Sequence, residues 1–443
     1  MDTIPLTRVS AAARLDRLPI VSFHRRVMWL LGFCFFFELG NINTFAFAAP
    51  AIRAQWGISI ATIGVVTSAT FFGMFIGAIT GGWFADHVGR KTALIAATTW
   101  FSLFSLLNAV AWEPYGLFAA RMLTGIGLSA MTAIGITYVA EMFPARARGA
   151  YQGWVMFVGL LGILAAAFVA RLVIPIGPWG WRLVFLWGSI GLIFPLLARK
   201  LEESPRWYEK RGRFADADAA LDRIERIAEA EAQTLPPPDP SVVVPREGHF
   251  LQIFSPAVRG RTIMLMAAWA FQTLGFYGFS AFVPTLLNER GFTIVESIGW
   301  ATAMQACGPL GAMCAAIIAD RFQRKWSVVV VALLTAAFGF AYGLSSDAVF
   351  IMLFGGLMTT CFQTFAPMLY AYTAECFPTE VRSTGTGFTY GMGRLANVVG
   401  PIAVAYLFSA YGYLSVYVYI AVCWTAVALA IGLFGPMTKG RQL

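Results

Sequence analysis

Twelve blocks of mostly apolar residues recur along the chain: Met28–Ala49, Ile60–Phe84, Thr92–Trp112, Tyr115–Ala140, Tyr151–Leu172, Trp181–Ala198, Thr262–Leu287, Ser297–Ala319, Trp326–Ser346, Ala348–Ala374, Ser383–Phe408 and Gly412–Gly435. Each is close to the ~20 residues an α-helix needs to cross a bilayer core about 30 Å thick. The pattern predicts an all-α membrane protein with twelve transmembrane helices. Its expected divisions are a segment 1–27, a six-helix bundle 28–199, a linker 200–261, a second bundle 262–435 and a tail 436–443. In the linker, FADADAALDRIERIAEAEAQ (Phe214–Gln233) has apolar residues at helical spacing among charges, which predicts a surface helix. PPPDP (Pro236–Pro240) ends it, and an extended stretch to Gly248 is expected.

The two sets of six blocks are copies. GGWFADHVGRK (Gly81–Lys91) returns as AAIIADRFQRK (Ala315–Lys325), and YVAEMFPARARG (Tyr138–Gly149) returns as YTAECFPTEVRS (Tyr372–Ser383), both at an offset of 234. Pro50 meets Pro284 and Gly159 meets Gly393 at the same offset, without a gap. Parallel repeats of this kind enclose a substrate site between them near the bilayer midplane.

Composition adds orientation. The chain is 58% hydrophobic and 12% charged, with mean hydropathy +0.69 and net charge +9. In a soluble protein that charge would point to nucleic acid. Here the cations cluster at alternate block ends: Arg8, Arg14, Arg17, Arg25 and Arg26 before the first, Arg90 and Lys91 after the second, Arg146 and Arg148 after the fourth, Arg324 and Lys325 after the eighth, Lys439 and Arg441 at the end. By the positive-inside rule both termini and the linker are expected in the cytoplasm, in a plasma (bacterial inner) membrane. No apolar stretch precedes Met28, so no cleaved signal is expected. The six cysteines and three histidines form no CxxC, HExxH or mixed cluster. No metal, cofactor or enzymatic nucleophile is expected, nor a nucleic-acid partner.

Charges that the two copies do not share are the candidates for function. Glu38, inside FFFELGNINTF, opposes Gln272, and Asn41 opposes Gly275. Arg121 opposes Gly355, and Arg394 opposes Leu160. An ionisable residue in a membrane helix is a functional site by default. Glu38 and Asn41, three apart, are expected on one face, as are Tyr390, Arg394 and Asn397. Two readings of Arg394 are open. It contacts a substrate carboxylate, its geometric match, or it pairs permanently with an acid such as Glu38.

Several motifs carry a family resemblance. GGWFADHVGRKTAL resembles the GxLaDrxGRkxxl loop signature of the major facilitator superfamily, and RMLTGIGLSA (Arg121–Ala130) its RxxxGxG signature. YVAEMFPARARG and ESPRW (Glu203–Trp207) look like those of the sugar-porter, organic-ion and aromatic-acid branches. The resemblance covers nearly the whole chain. It implies a secondary transporter whose central cavity opens to one side at a time. It also implies a conformational latch from Asp86, Arg90, Glu141 and Arg148, repeated in Asp320, Arg324, Glu375 and Arg382, with Gln323 in place of the second loop glycine. YGMGRLANVVGP (Tyr390–Pro401) resembles organic-anion and aromatic-acid carriers, which keep an arginine there. Glu38 matches the first acid of the D-x-x-D motif of proton-coupled aromatic-acid and nicotinate-type carriers, with Asn41 in the place of the second. Glu38 is therefore the expected proton carrier, modulated by Arg121.

Trp154, Phe276, Tyr277 and Tyr390, with Gln272 and Gln363, fall where a cavity is expected, and with Arg394, Asn41 and Asn397 they form the expected substrate site. The reading is a monomeric symporter taking up a small organic monocarboxylate, aromatic or heteroaromatic, with a proton and no other cofactor. A proton-coupled drug or metabolite exporter and a non-transporting sensor on the same fold are the alternatives.

Overall fold

The computed structural model describes residues 9–232, 235–238, 250–378 and 380–438, the side chains of 232, 316, 319–321 and 383 excepted. Most of the stretch to Gly248 and the tail cations Lys439 and Arg441 lie outside the described residues, as does Arg8. The described chain is helical, with no strand. Its α-helices are α1 (Ala11–Asp16), α2 (Ser22–Trp56), α3 (Ile60–Val88), α4 (Arg90–Ala109), α5 (Pro114–Met142), α6 (Ala145–Val173), α7 (Gly180–Gly188), α8 (Phe194–Leu197), α9 (Pro205–Lys210), α10 (Phe214–Ala232), α11 (Arg259–Ser280), α12 (Val283–Glu289), α13 (Ile294–Gln305), α14 (Gly308–Arg321), α15 (Arg324–Leu344), α16 (Ala348–Glu375), α17 (Arg382–Tyr411) and α18 (Tyr413–Phe434).

Among the described residues eleven helical spans are long and apolar enough to cross a membrane. The eighth apolar block is not one helix but two, α13 and α14, parted at Ala306–Cys307. Pro309 explains the break. It lacks an N–H, and its ring would press on the carbonyl of Gln305, so it sits in the first turn of a new helix. Its partner at the 234 offset is Phe75, and α3 runs unbroken. The seventh block also divides, at Ala281–Phe282 before Pro284. The matching Pro50 lies inside an unbroken α2. Before Pro284 stand Gly275 and Gly278, where the first copy has Asn41 and Thr44, and two glycines weaken a helix.

Within each half the helices approach at glycines. A Cβ on Gly162 would lie 1.8 Å from the Phe36 carbonyl oxygen, so only glycine lets α6 come this near α2. Gly89 ends α3 with φ +100, and a Cβ there would also strike the Glu203 carboxylate. That carboxylate accepts the backbone N–H groups of Arg90 (2.7 Å) and Lys91 (3.0 Å), satisfying donors at the α4 N-terminus. In the second copy Gln323 stands at the turn with φ −64, so its backbone takes an ordinary extended course.

The halves meet on the face away from the linker. Arg53, near the end of α2, pairs with Glu289 at the end of α12, and Arg171 of α6 lies over Gly299 of α13. Nearer the linker, α6 and α14 stand apart around a cavity.

The residues before the first span are folded onto the linker. α1 docks on α10, burying Leu15 and Leu18 near Leu221 and Ile224. Arg14, read above as a topology-setting cation, reaches Asp218 (3.2 Å), Asp222 (2.6 Å) and Glu225 (2.5 Å), and Arg17 reaches Glu225 at 2.7 Å. Burial pushes the Glu225 carboxyl up, but hydrogen bonds from Arg14 and Arg17 outweigh it and hold it below its ordinary value. A carboxyl held low contributes stability above its unfolded pKa, about 4.3, and loses it as pH falls through the folded value. Glu225→Gln is expected to speed amide exchange over residues 11–16 on the order of fivefold, the effect of about 1 kcal/mol at a partly screened site. Hydrogen–deuterium exchange measures it. Acid below about pH 4 should loosen the wild-type helix in the same way.

Candidate functional site

Glu38 lies on α2 and is 1% exposed. Thr132 of α5 donates to its Oε1 at 2.7 Å, while Oε2 is buried without a partner. Thr132 escaped the sequence reading, because nothing local marks one threonine among many as facing α2.

Arg394 lies on α17, nine-tenths buried. Its Nε donates to the Tyr390 hydroxyl at 3.0 Å and Nη2 reaches the same oxygen. Its Nη1 donates to the Tyr277 hydroxyl of α11 at 3.4 Å and meets Met74 Sδ of α3 at 3.9 Å. Tyr390, one turn before Arg394, is held edge-on by Trp269 (5.1 Å between rings) and beside Tyr370 (5.5 Å). Tyr277 packs edge-on against Phe71 of α3 at 4.6 Å, which links the two halves. Among the described residues no ion pair joins Arg394 to Glu38 or to any other carboxylate. Asn397, on the same helix, is fully buried with neither side-chain nitrogen nor oxygen partnered.

Arg121 on α5 is also buried without a carboxylate. Its Nε donates to Thr70 Oγ1 at 3.1 Å, Nη1 to the Asn41 carbonyl at 3.4 Å, and its guanidinium lies 5.6 Å from the Phe45 ring centre. A small cavity of about 10 Å³ lies between Arg121, Asn43, Thr67, Thr70 and Tyr277, room for about one water. The core thus holds two guanidiniums against one carboxyl.

Other expected site residues sit elsewhere. Asn41 does not share the setting of Glu38. Its amide donates to the Gly188 carbonyl at 3.0 Å and its oxygen accepts from Ser105 at 3.1 Å, so it ties α2 to α4 and α7. Three residues leave side chains about 60° apart around a helix, and because α2 is packed on both sides that offset is enough to give the two residues different neighbours. Gln272 accepts from its neighbour Thr273 at 3.2 Å. Phe276 packs edge-on against Phe362 at 5.1 Å. Trp154 and Gln363 line the larger cavity between α6, α14 and α16, away from the residues that touch Arg394.

The latch residues pair within each half. Arg90 reaches Asp86 at 2.6 Å and Glu141 at 3.0 Å. Arg148 joins neither acid. It bonds Asp16 at 3.1 Å and the Phe143 carbonyl at 2.9 Å, because α1 brings Asp16 over the start of α6. In the second half Arg324 pairs with Glu375, and Arg382 donates to the Phe377 carbonyl at 3.4 Å. The Asp320 side chain lies outside the described residues.

Comparison with known proteins fits this geometry. The chain is 43% identical over 438 residues to the putative metabolite transport protein YyaJ of Bacillus subtilis, covering 98% of this chain and 97% of that one. It is 30% identical to the niacin transporter NiaP of Acinetobacter baylyi, covering 97% and 98%. Its fold resembles the xylose transporter XylE of Escherichia coli in a partially occluded inward-open conformation, at 18% identity and TM-score 0.77, over 95% of this chain and 100% of the other. The family model for the sugar (and other) transporters matches residues 26–443. The chain is therefore a multi-pass integral membrane transporter, not an enzyme, and belongs to the sugar (and other) transporter family of the major facilitator superfamily.

Proposed function

We propose that the protein carries a small aromatic or heteroaromatic monocarboxylate, together with a proton, by alternating access. One observation carries the reading: Arg394 is a buried guanidinium, at the meeting of α3, α11 and α17, with aromatic hydroxyls but no carboxylate beside it. A cation inside a membrane protein without a counter-charge is unfavourable, and a bound carboxylate offsets it with bidentate hydrogen bonds. Tyr390 and Tyr277 shape the rim, and their rings suit a flat partner. The niacin carried by the relative NiaP is such a heteroaromatic acid, which supports the class.

Glu38 is the proposed proton carrier. A single hydrogen bond from Thr132 is little compensation for a buried carboxylate, and a proton removes the charge. With the proton on Glu38 and the substrate carboxylate on Arg394, the net charge of the centre is unchanged, but the one acid is neutral and Arg394 is paired, and the halves close around a less polar load. Arg121, buried in the same half as Glu38 and bonded to Thr70 and the Asn41 carbonyl, is the proposed modulator of that proton. The distribution of lysine and arginine supports a cytoplasmic linker face. The direction is inward, driven by the proton gradient.

Arg394→Gln is expected to lower proteoliposome uptake of radiolabelled nicotinate and 4-hydroxybenzoate about 30-fold or more, the effect of losing one partner of a buried charge pair. Unchanged uptake of both acids, with wild-type elution on gel filtration, would remove the carboxylate role.

Glu38→Gln is expected to abolish accumulation driven by an inward proton gradient while preserving exchange of internal for external substrate. Accumulation at the wild-type level would take the proton role away from Glu38.

A further inference from the structure

The larger cavity is not explained by the Arg394 site. It is an open-sided cleft of about 560 Å³ between the linker-side half of α6 and the broken span α13–α14, with α16 behind and the Trp154, Phe157 and Met313 side chains exposed along it. Trp154, Phe157 and Leu161 form one wall and Met313 part of the other. Among the described residues no charged one lines it. Its hydrogen-bonding side chains are the indole N–H of Trp154 and two amides, Gln305 and Gln363, with no hydrogen bond from either amide among the described residues.

The fold places both amides on the lining of one cavity. Gln305 is the last residue of α13, released at the break that Pro309 enforces. Gln363 of α16 lies across Gly308 and Gly311: a Cβ on Gly311 would meet the Gln363 Cβ at 2.8 Å, and one on Gly308 its Cγ at 3.4 Å. Any side chain at Gly311 would displace Gln363. The helix break therefore leaves Gln305 at the end of α13, where it and Gln363 of α16 both line an apolar, aromatic-walled chamber.

We propose that this chamber is a second ligand site, one for an uncharged aromatic ring that bears an amide or hydroxyl. Apolar walls with a few fixed polar groups are the general build of small-molecule sites, and the volume falls in their usual range of about 300–1,000 Å³. The absence of any lining charge selects against a carboxylate here, so the site differs in chemistry from Arg394. Primary amides both donate and accept, which matches a carboxamide or phenol substituent. The indole of Trp154 and the ring of Phe157, edge-on at 5.9 Å, offer the ring its faces. The proposal does not depend on which substrate Arg394 holds.

The test is saturation-transfer difference NMR with 4-hydroxybenzamide on the full chain in lipid nanodiscs. Saturable binding is expected. Gln305→Leu and Gln363→Leu, which keep volume and apolar packing, should each raise the dissociation constant about fivefold. Ala312→Trp, which fills the chamber from α14, should abolish binding. Arg394→Gln should leave the dissociation constant of this neutral probe within twofold. No saturable binding overturns the proposal. So does binding that survives Ala312→Trp and both leucine variants, or binding lost with Arg394→Gln, which would move the ligand to the other site. Binding present in detergent and lost in nanodiscs would mean that an acyl chain fills the chamber, and would overturn it as well. Failure of nicotinate uptake in Arg394→Gln bears only on the carboxylate site, so the two readings fall separately.

Discussion

The organisation of the core turns on charge that is not balanced. Two guanidiniums, Arg394 and Arg121, are buried among helices with hydroxyls, carbonyls and rings for company, against one carboxyl on Glu38. Burial of an arginine is tolerated when its five donors are occupied, and here the protein occupies them only in part. Tyr390 and Tyr277 serve Arg394, and Thr70 with the Asn41 carbonyl serves Arg121. The two environments differ in one respect that matters. Arg121 lies inside the first half, while Arg394 is reached from α3 of one half and α11 of the other. A load bound at Arg394 therefore touches both halves through side chains that bond the guanidinium itself, whereas the groups that bond Arg121 all belong to the first half.

Two copies of one helical unit supply a common frame, and particular sequence differences set its asymmetry. Phe75 and Pro309 occupy one position of the repeat, yet the first leaves α3 whole and the second divides α13 from α14. Gly89 and Gln323 share another. The glycine takes a left-handed φ and brings the backbone against Glu203, while the glutamine turns without that constraint. The first half is in this way stapled at its linker end by α1, α9 and α10, through Asp16, Glu203 and Glu225.

Much of this was legible in the sequence. Apolar length located the spans, and comparison of the copies picked out Glu38, Arg121 and Arg394 as unshared charges. What stayed illegible has a common physical cause. Periodicity shows which residues share a helix face, but not which neighbour that face meets. Asn41 was placed beside Glu38 by spacing and instead bonds Gly188 and Ser105, because α2 is surrounded and each side of it has its own partner. Arg148, one of the expected latch residues, bonds Asp16 rather than the latch acids, and the short helix that carries Asp16 lacks any strong periodic signal. The Arg53–Glu289 pair joins residues that are far apart in the chain, and neither stands out from other charges at span ends.

That pair has a kinetic meaning. Arg53 and Glu289 are each more than a quarter exposed, and exposed ion pairs contribute about 1 kcal/mol or less. A seal of this strength holds one face shut without making its release slow. In the proposed alternating access each transport cycle breaks it once, so a weak, salt-screened clasp leaves the pace of turnover to the deeper contacts around the load.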